Sequence, residues 1–414
     1  MSKLTNEMLL LVAVLVLLPG MSVFAGETGA AIEVAAKAEG SHFQTWASAA
    51  WCEGGKCWLL AWREGYLNET EKGTDIWCAR VSADGKALDP AGIRLTKGKG
   101  LKDRPRVASD GKGFLVVWED LRKGKAWNVY AARVSAEGKA LDTDGVLIAG
   151  GDNNQCRPDV AFAKGNYHVA WMSYNNYYSV LNARVSPEGK LLDAKGLELF
   201  DFKKGESYQA ISPSLASNGS DLIARVDAVI DRYGSGGCAI RALDGVTGNA
   251  SGAITKYDQN GETNRGSLAA DKDGFLLSAN LGMAFGAPCR FKLARLDKTG
   301  TPVDGALDLG RPGSGFLSPW LVRGNIPNGR CGIAFDGKDY LVVTDMGDKY
   351  RQIVGWRVSA DGKMADTKGF AIAAEPGKNE ILPSAAGGPE GVVLVVYSEV
   401  RGADDTKVLA RIVK

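Results

Sequence analysis

The chain is predicted to be all-β, a seven-bladed β-propeller whose last blade is closed by an N-terminal strand. Three observations carry that prediction. A short run centred on arginine recurs seven times, at Arg80, Arg133, Arg184, Arg241, Arg295, Arg357 and Arg411, in steps of 53, 51, 57, 54, 62 and 54 residues. Each interval holds four strand-like runs divided by turn signals, and repeated four-stranded units of this length are the pattern of a propeller. The seventh unit stops after three strands, while the N-terminal region carries a spare one. Composition agrees, since 53 glycines in 414 residues without a helical apolar period suit strands joined by tight turns.

Taken in order, residues 1–25 read as a secretory signal. Lys3 precedes the apolar run Met8 to Leu18, Pro19-Gly20 ends it, and Val23-Phe24-Ala25 offers small residues where a signal peptidase reads. The run falls short of the ~20 apolar residues that span a bilayer. A secreted or periplasmic monomer is expected, with no membrane insertion after cleavage and residues 26–414 forming one propeller domain. Next, the segment Ala30 to Ala35 has the pattern of Gly92-Ile93-Arg94-Leu95, so it is expected to supply the missing strand and remove an open sheet edge. The second unit shows the four strands best. Arg106 to Ala108 is the first, and Phe114 to Trp118, a continuous apolar run, is the doubly buried second. The third surrounds Arg133 and the fourth follows Gly145. Asp110-Gly111, Glu137-Gly138 and Leu141-Asp142-x-x-Gly145 are turn signals with a mechanism, because such residues tolerate positive φ.

The stretch Pro105-x-Val-Ala-x-Asp-Gly-x-x-Phe-Leu-Val-Val-Trp118, followed by Arg133-Val-Ser-x-x-Gly-x-x-Leu-Asp142, resembles the repeats of secreted bacterial β-propeller proteins. Units four, five and seven depart from the pattern, with Val226, Ala279 and Tyr397 in place of the tryptophan. The resemblance implies a propeller and export. It implies no activity, since a fold does not carry function by itself.

The formal charge is +2, and removing residues 1–25 takes away one lysine and one glutamate, leaving it unchanged. Near-neutrality excludes a nucleic-acid coat. The connections between strands two and three, and those between blades, vary in length and share one face, where a rigid scaffold places function. At the start of the innermost strand on that face stand Arg104, Arg157, Arg265 and Arg330, with Ser48, Ser212 and Leu382 at the corresponding places of blades one, four and seven. Four guanidinium groups round one opening suit a carboxylate, sulfate or phosphate. The competing reading pairs each with an acid such as Asp103 or Asp159. The Ala-Arg-Val arginines, present in every unit, read as structural ties. Loop aromatics, Tyr174, Tyr177 and Trp320 foremost, suit the apolar faces of sugars.

Signals for catalysis are sparse. Of two histidines, His42 lies in a loop and His168 inside a buried strand. No nucleophile elbow, zinc-binding helix or phosphate loop is present, and neither a metal nor another cofactor is expected. Carboxylates ending the second strands (Glu64, Glu119, Asp120, Asp227, Asp345 and Glu399) approach the variable face. Seven cysteines leave at least one unpaired within the chain. A Cys52–Cys57 bridge is feasible, Cys57–Cys78 is the alternative, and Cys156 and Cys331 are expected too far apart to bond. The expected function is a secreted ligand-binding propeller, recognising an anionic glycan or a partner protein on its loop-rich face. The alternative is a polysaccharide-active enzyme, a uronate lyase or glycoside hydrolase, working at the channel mouth.

Overall fold

The computed structural model describes residues 27–37, 43–65, 73–174, 178–200, 209–229, 238–257, 266–281, 290–303, 307–308, 331–347, 350–364, 369–402 and 405–414. The expected signal, residues 1–25, lies outside them. The described strands form seven four-stranded antiparallel sheets. The innermost strands are Gln44–Cys52, Lys102–Ser109, Asn154–Ala163, Gln209–Ser217, Leu268–Asp271, Cys331–Phe335 and Asn379–Gly387. In the seventh sheet the outermost strand is Ile32–Glu33, paired with Asp405–Val413 so that Ile32 faces Ala410 and Glu33 faces Leu409. The N-terminal strand closes the ring, as expected. No described helix is long and apolar enough to cross a membrane.

Alternation along the innermost strand explains how blades adhere. Val107 packs back among Cys57, Leu59 and Cys78 of blade one, whereas Ala108 packs forward among Val160 and Val169 of blade three. Successive strand residues point to opposite faces, so Arg-Val-Ala buries one residue against each neighbour. Among the described residues, a core of this kind fills each of the seven blade interfaces, including the one where Val34 and Ala35 join blades seven and one. Trp58, Trp62 and Trp118 are fully buried within these cores.

The recurrent arginines are structural ties. Arg80, Arg133 and Arg184 grip Asp89, Asp142 and Asp193 of their own hairpins, with Nε to carboxylate distances of 2.9, 2.8 and 2.8 Å. Arg80 also donates through Nη1 to Ala136 O of the next blade at 3.0 Å. In blades five and six the partner changes. Arg295 and Arg357 reach Asp271, the last residue of its innermost strand, and Asp336, just after its own.

One irregularity positions the site. The innermost ladders of blades one, two, three, four and seven each break near their start. At the break Trp46, Arg104, Arg157, Ser212 and Leu382 take φ of 60, 53, 52, 50 and 57°. In four of them the next residue is proline (Pro105, Pro158, Pro213 and Pro383), which has no N–H to contribute to the ladder and so fits a bulge. Blade one has Ala47 there. Its counterpart of Arg104 is therefore Trp46, not Ser48, which stands level with Arg106.

Candidate functional site

All seven innermost strands line a central cavity of about 750 Å³. The bulges set its mouth. A left-handed residue points its side chain out of the alternation of the strand, and here that direction brings Trp46, Arg104, Arg157 and Ser212 into the lining. Along the strands follows a polar tier containing Ser48, Arg106, Asp159, Ser214, Ser267 and Ser384. Beyond it the lining is apolar, from Ala49 and Val107 through Val160, Leu215, Leu268 and Ile333 to Ala385.

The mouth is wired between blades. The Arg104 guanidinium lies over the Trp46 ring, 4.8 Å from its centroid, with Nε 3.2 Å from Glu119 Oε1. Glu119 Oε2 accepts from the backbone N–H of Arg157 at 2.7 Å, so one carboxylate fixes two neighbouring bulges. Arg157 Nη1 donates to Ser212 Oγ at 2.6 Å, reaching blade four. Deeper, Arg106 approaches Asp159 at 3.6 Å, and Asp159 Oδ2 accepts the Leu215 N–H at 2.7 Å. Arg225 pairs with Asp227, and its buried Nε has no hydrogen-bond partner. Arg104, Arg106 and Arg225 stand beside Glu119, Asp159 and Asp227, which leaves Arg157 as the one arginine of the lining in no ion pair among the described residues. Burial is the main influence on the Glu119 and Asp159 carboxyls and pushes both up, while Arg104 and Arg106 pull the other way.

These contacts divide the expected arginines. Arg104 takes the paired role, with Glu119 of its own blade rather than Asp103 or Asp159. Arg157 has no ion pair among the described residues, and only Nη1 of its guanidinium is hydrogen-bonded, leaving donors toward the cavity. Arg265, Arg330, Tyr177 and Trp320 lie outside the described residues. Tyr174 ends its strand 40% exposed, with its ring 4.6 Å from that of Tyr178. It is Tyr178, not Tyr174, that lines the cavity. Trp46, Arg106 and Arg225 were not expected there. Arg225 did leave a signal, a charge inside the apolar run Leu222-Ile-Ala-Arg-Val226.

The expected acid and base candidates are mostly committed elsewhere. Glu64 accepts from Trp62 Nε1 at 2.8 Å, Asp120 from Trp118 Nε1 at 2.9 Å and from Arg122, Asp345 from Arg351 at 3.1 Å, and Glu399 from Lys378 and Arg401. His168 is fully buried, its Nε2 3.0 Å from Gly245 O, and it does not line the cavity. A role for it as a base at the mouth is thereby removed. His42 lies outside the described residues. No group of three or more His, Cys, Asp or Glu among the described residues is arranged for a metal ion.

Cys52 and Cys57 face each other in the ladder, yet none of the six described cysteines forms a disulfide. The expected bridge is not formed, and Cys57 Sγ lies 3.9 Å from Ala136 O. Cys57 sits opposite Ser82 and Cys78 opposite Ala61, so the alternative pairing is out of register. Burial pushes the Cys57 thiol up to about 11 and those of Cys156 and Cys331 to about 12, so none is a ready nucleophile.

No family model matches the chain, and no curated protein matches it in sequence. Solved structures do resemble it. A protein of unknown function from Dyadobacter fermentans is 11% identical with a TM-score of 0.50, the match covering 95% of this chain and all of that one. The sialidase of Trypanosoma rangeli, solved with sialic acid, is 9% identical with a TM-score of 0.51 over 92% of this chain. A mutant of NanB sialidase from Streptococcus pneumoniae is 11% identical with a TM-score of 0.52 over 92% of this chain. The match spans 58% of the trypanosomal enzyme and 70% of the pneumococcal one. At these identities the likeness is one of fold alone, and the count of seven blades rests on the seven sheets of this chain.

Proposed function

We propose that the chain is an exported binding propeller that holds the carboxylate of an anionic glycan at the mouth of its central cavity. Arg157 carries the proposal. Its guanidinium lines the cavity in no ion pair among the described residues, with Glu119 near enough to feel its charge but paired to Arg104, and only its Nη1 is hydrogen-bonded. A planar guanidinium matches a carboxylate through two parallel hydrogen bonds, and a partly desolvated site strengthens them. Trp46, Met172 and Tyr178 add apolar surface, and the serine tier adds hydroxyls, which together suit a sugar. Export rests on residues 1–25.

The test is calorimetry with uronic acids, sialic acid and acidic polysaccharides, against parent and Arg157→Ala protein. The variant should fold normally and bind at least about tenfold more weakly, the value of losing one charge-assisted hydrogen bond. Binding should also weaken as salt rises. Failure of every acidic sugar to bind, or equal binding by the variant, overturns the reading and leaves a protein partner. One observation favours a second reading. Asp159 is a cavity-lining carboxyl that burial pushes toward its protonated form, as a general acid for glycoside cleavage requires. New reducing ends, or absorbance from unsaturated uronates, would establish that activity. Silence across the same sugars removes it.

A further inference from the structure

Arg104 and Arg157 are the same residue of successive repeats in two different surroundings. Both open a bulge, with φ of 53 and 52°, and both precede a proline. The ladder places Glu119 opposite Asp103 in blade two and Met172 opposite Cys156 in blade three. The position filled by a carboxylate in blade two is thus filled by a thioether in blade three. Arg157 keeps the same backbone without a carboxylate from its own blade, so a bulge of this kind does not need one to hold its arginine. The contact between Arg104 and Glu119 is also loose. Arg104 Nε lies 3.2 Å from Glu119 Oε1 yet makes no hydrogen bond, and the Arg104 side chain, which lines the cavity, is 25% exposed.

A guanidinium held by charge and by the face of the Trp46 ring can be won by a second oxyanion in better alignment, because a bidentate pair is stronger than one misaligned contact. We infer that Glu119 is a built-in competitor for Arg104, and that the ligand's carboxylate displaces it so that Arg104 and Arg157 hold the anion together. The inference rests on the anionic-sugar reading above, and adds to it a second arginine and the group that restrains it. Displacement leaves Glu119 a buried carboxylate with one partner fewer, and such a group takes up a proton. Burial already pushes its carboxyl up, and the Asp103 charge opposite it acts the same way, against Arg104 and Arg157. The other groups that feel its charge are Arg63 of blade one, paired with Asp103, then Arg106, paired with Asp159, and the Cys156 thiol. Anion binding and proton uptake therefore favour each other, and binding should tighten as the pH falls toward the raised Glu119 value.

Calorimetry with sulfate, which stays fully ionised across the range used, and with galacturonate tests this on the parent, Glu119→Gln and Glu119→Gln/Arg104→Gln proteins. Glutamine keeps an oxygen for the Arg157 N–H and removes the charge that holds Arg104. At about pH 7.5 Glu119→Gln should bind both anions about tenfold more tightly, the value of one charge-assisted hydrogen bond gained. Adding Arg104→Gln should cancel the gain, which separates release of Arg104 from a change in net charge alone. Parent affinity should rise about threefold between about pH 7.5 and about pH 5.5, a measurement that needs no variant, while that of Glu119→Gln stays level. Equal affinity of parent and Glu119→Gln, a gain that survives Arg104→Gln, or a pH dependence that is absent from the parent or shared by both overturns the competitor role. Galacturonate binding that Arg157→Ala weakens would still uphold the anionic-sugar reading. Sulfate binding that follows the expected pattern, with every acidic sugar inactive, keeps the competitor and removes the sugar. No binding of any of these anions to any of the three proteins removes both.

Discussion

His168 shows how one side chain makes the fold sensitive to pH. It is fully buried in the second strand of blade three, with Nε2 against Gly245 O and no partner at Nδ1. Burial pushes its pKa below the ordinary 6.5, Arg184 acts in the same direction, and Asp193 opposes them. The unfolded chain then takes up a proton that the folded chain refuses. His168 thus contributes stability that is complete above about pH 6.5 and declines as the pH falls toward the folded value, by at most about 1.4 kcal/mol per pH unit. The raised carboxyls Glu119 and Asp159 have the opposite sign, holding protons when folded that the unfolded chain releases. Denaturant unfolding from neutral pH to about pH 5 should show a smaller loss for His168→Gln than for the parent. Equal losses would assign the pH dependence to other groups. At this scale the site was partly legible. Arg104 and Arg157 stand out because each precedes a proline at the same place in the repeat. Trp46 does not, because Ala47 replaces the proline, and the bulge sets the alignment of blade one off by two residues.

The hairpin that joins the third and fourth strands was legible almost completely, since each repeated residue has a separate physical task. In blade two Asp142 accepts from the Arg133 guanidinium, and Gly145 turns the chain at φ 75° over the Trp118 ring. A Cβ at Gly145 would lie 2.3 Å from Trp118 Cη2. Gly111 is also left-handed, at φ 83°, but a Cβ there would meet nothing within 4 Å. Gly111→Ala should cost only the backbone term, about 1 kcal/mol. Gly145→Ala adds overpacking against a buried tryptophan and should cost about 1–3 kcal/mol more. Chemical denaturation of the two variants checks this, and equal costs would show that the ring moves freely aside. Outer strands are less regular than the repeat suggests. Those of blades one and three are two residues long, whereas that of blade four runs from Ala250 to Tyr257. A strand with one neighbour is held by fewer ladder bonds, so its length depends on local contacts that the motif does not encode.

Seven units in a ring need a last joint, and in this molecule the joint is made by residues distant in sequence. Glu27 and Lys414 exchange two backbone hydrogen bonds of 3.0 and 2.9 Å, and Gly29 N–H donates to Ile412 O at 2.8 Å. Val34 and Ala35 are buried in the core between blades seven and one. Glu33 accepts from Arg401 and Lys407, and this pairing holds its carboxyl below the usual range. That ion network is largely solvent-exposed and adds little. Backbone pairing and apolar burial therefore carry the closure. The repeat spacing made the ring legible, and the absent fourth strand after Val413 indicated where it closes. Deleting residues 27–36 should leave Asp405–Val413 as a bare edge and open the core that Val34 and Ala35 cover. The loss should reach at least about 3 kcal/mol, the scale of emptying a packed site. The exposed edge should also promote association through strand pairing. Thermal unfolding with light scattering measures both effects, and a deletion variant that melts with the parent and scatters no more than it would show that the ring holds without this strand.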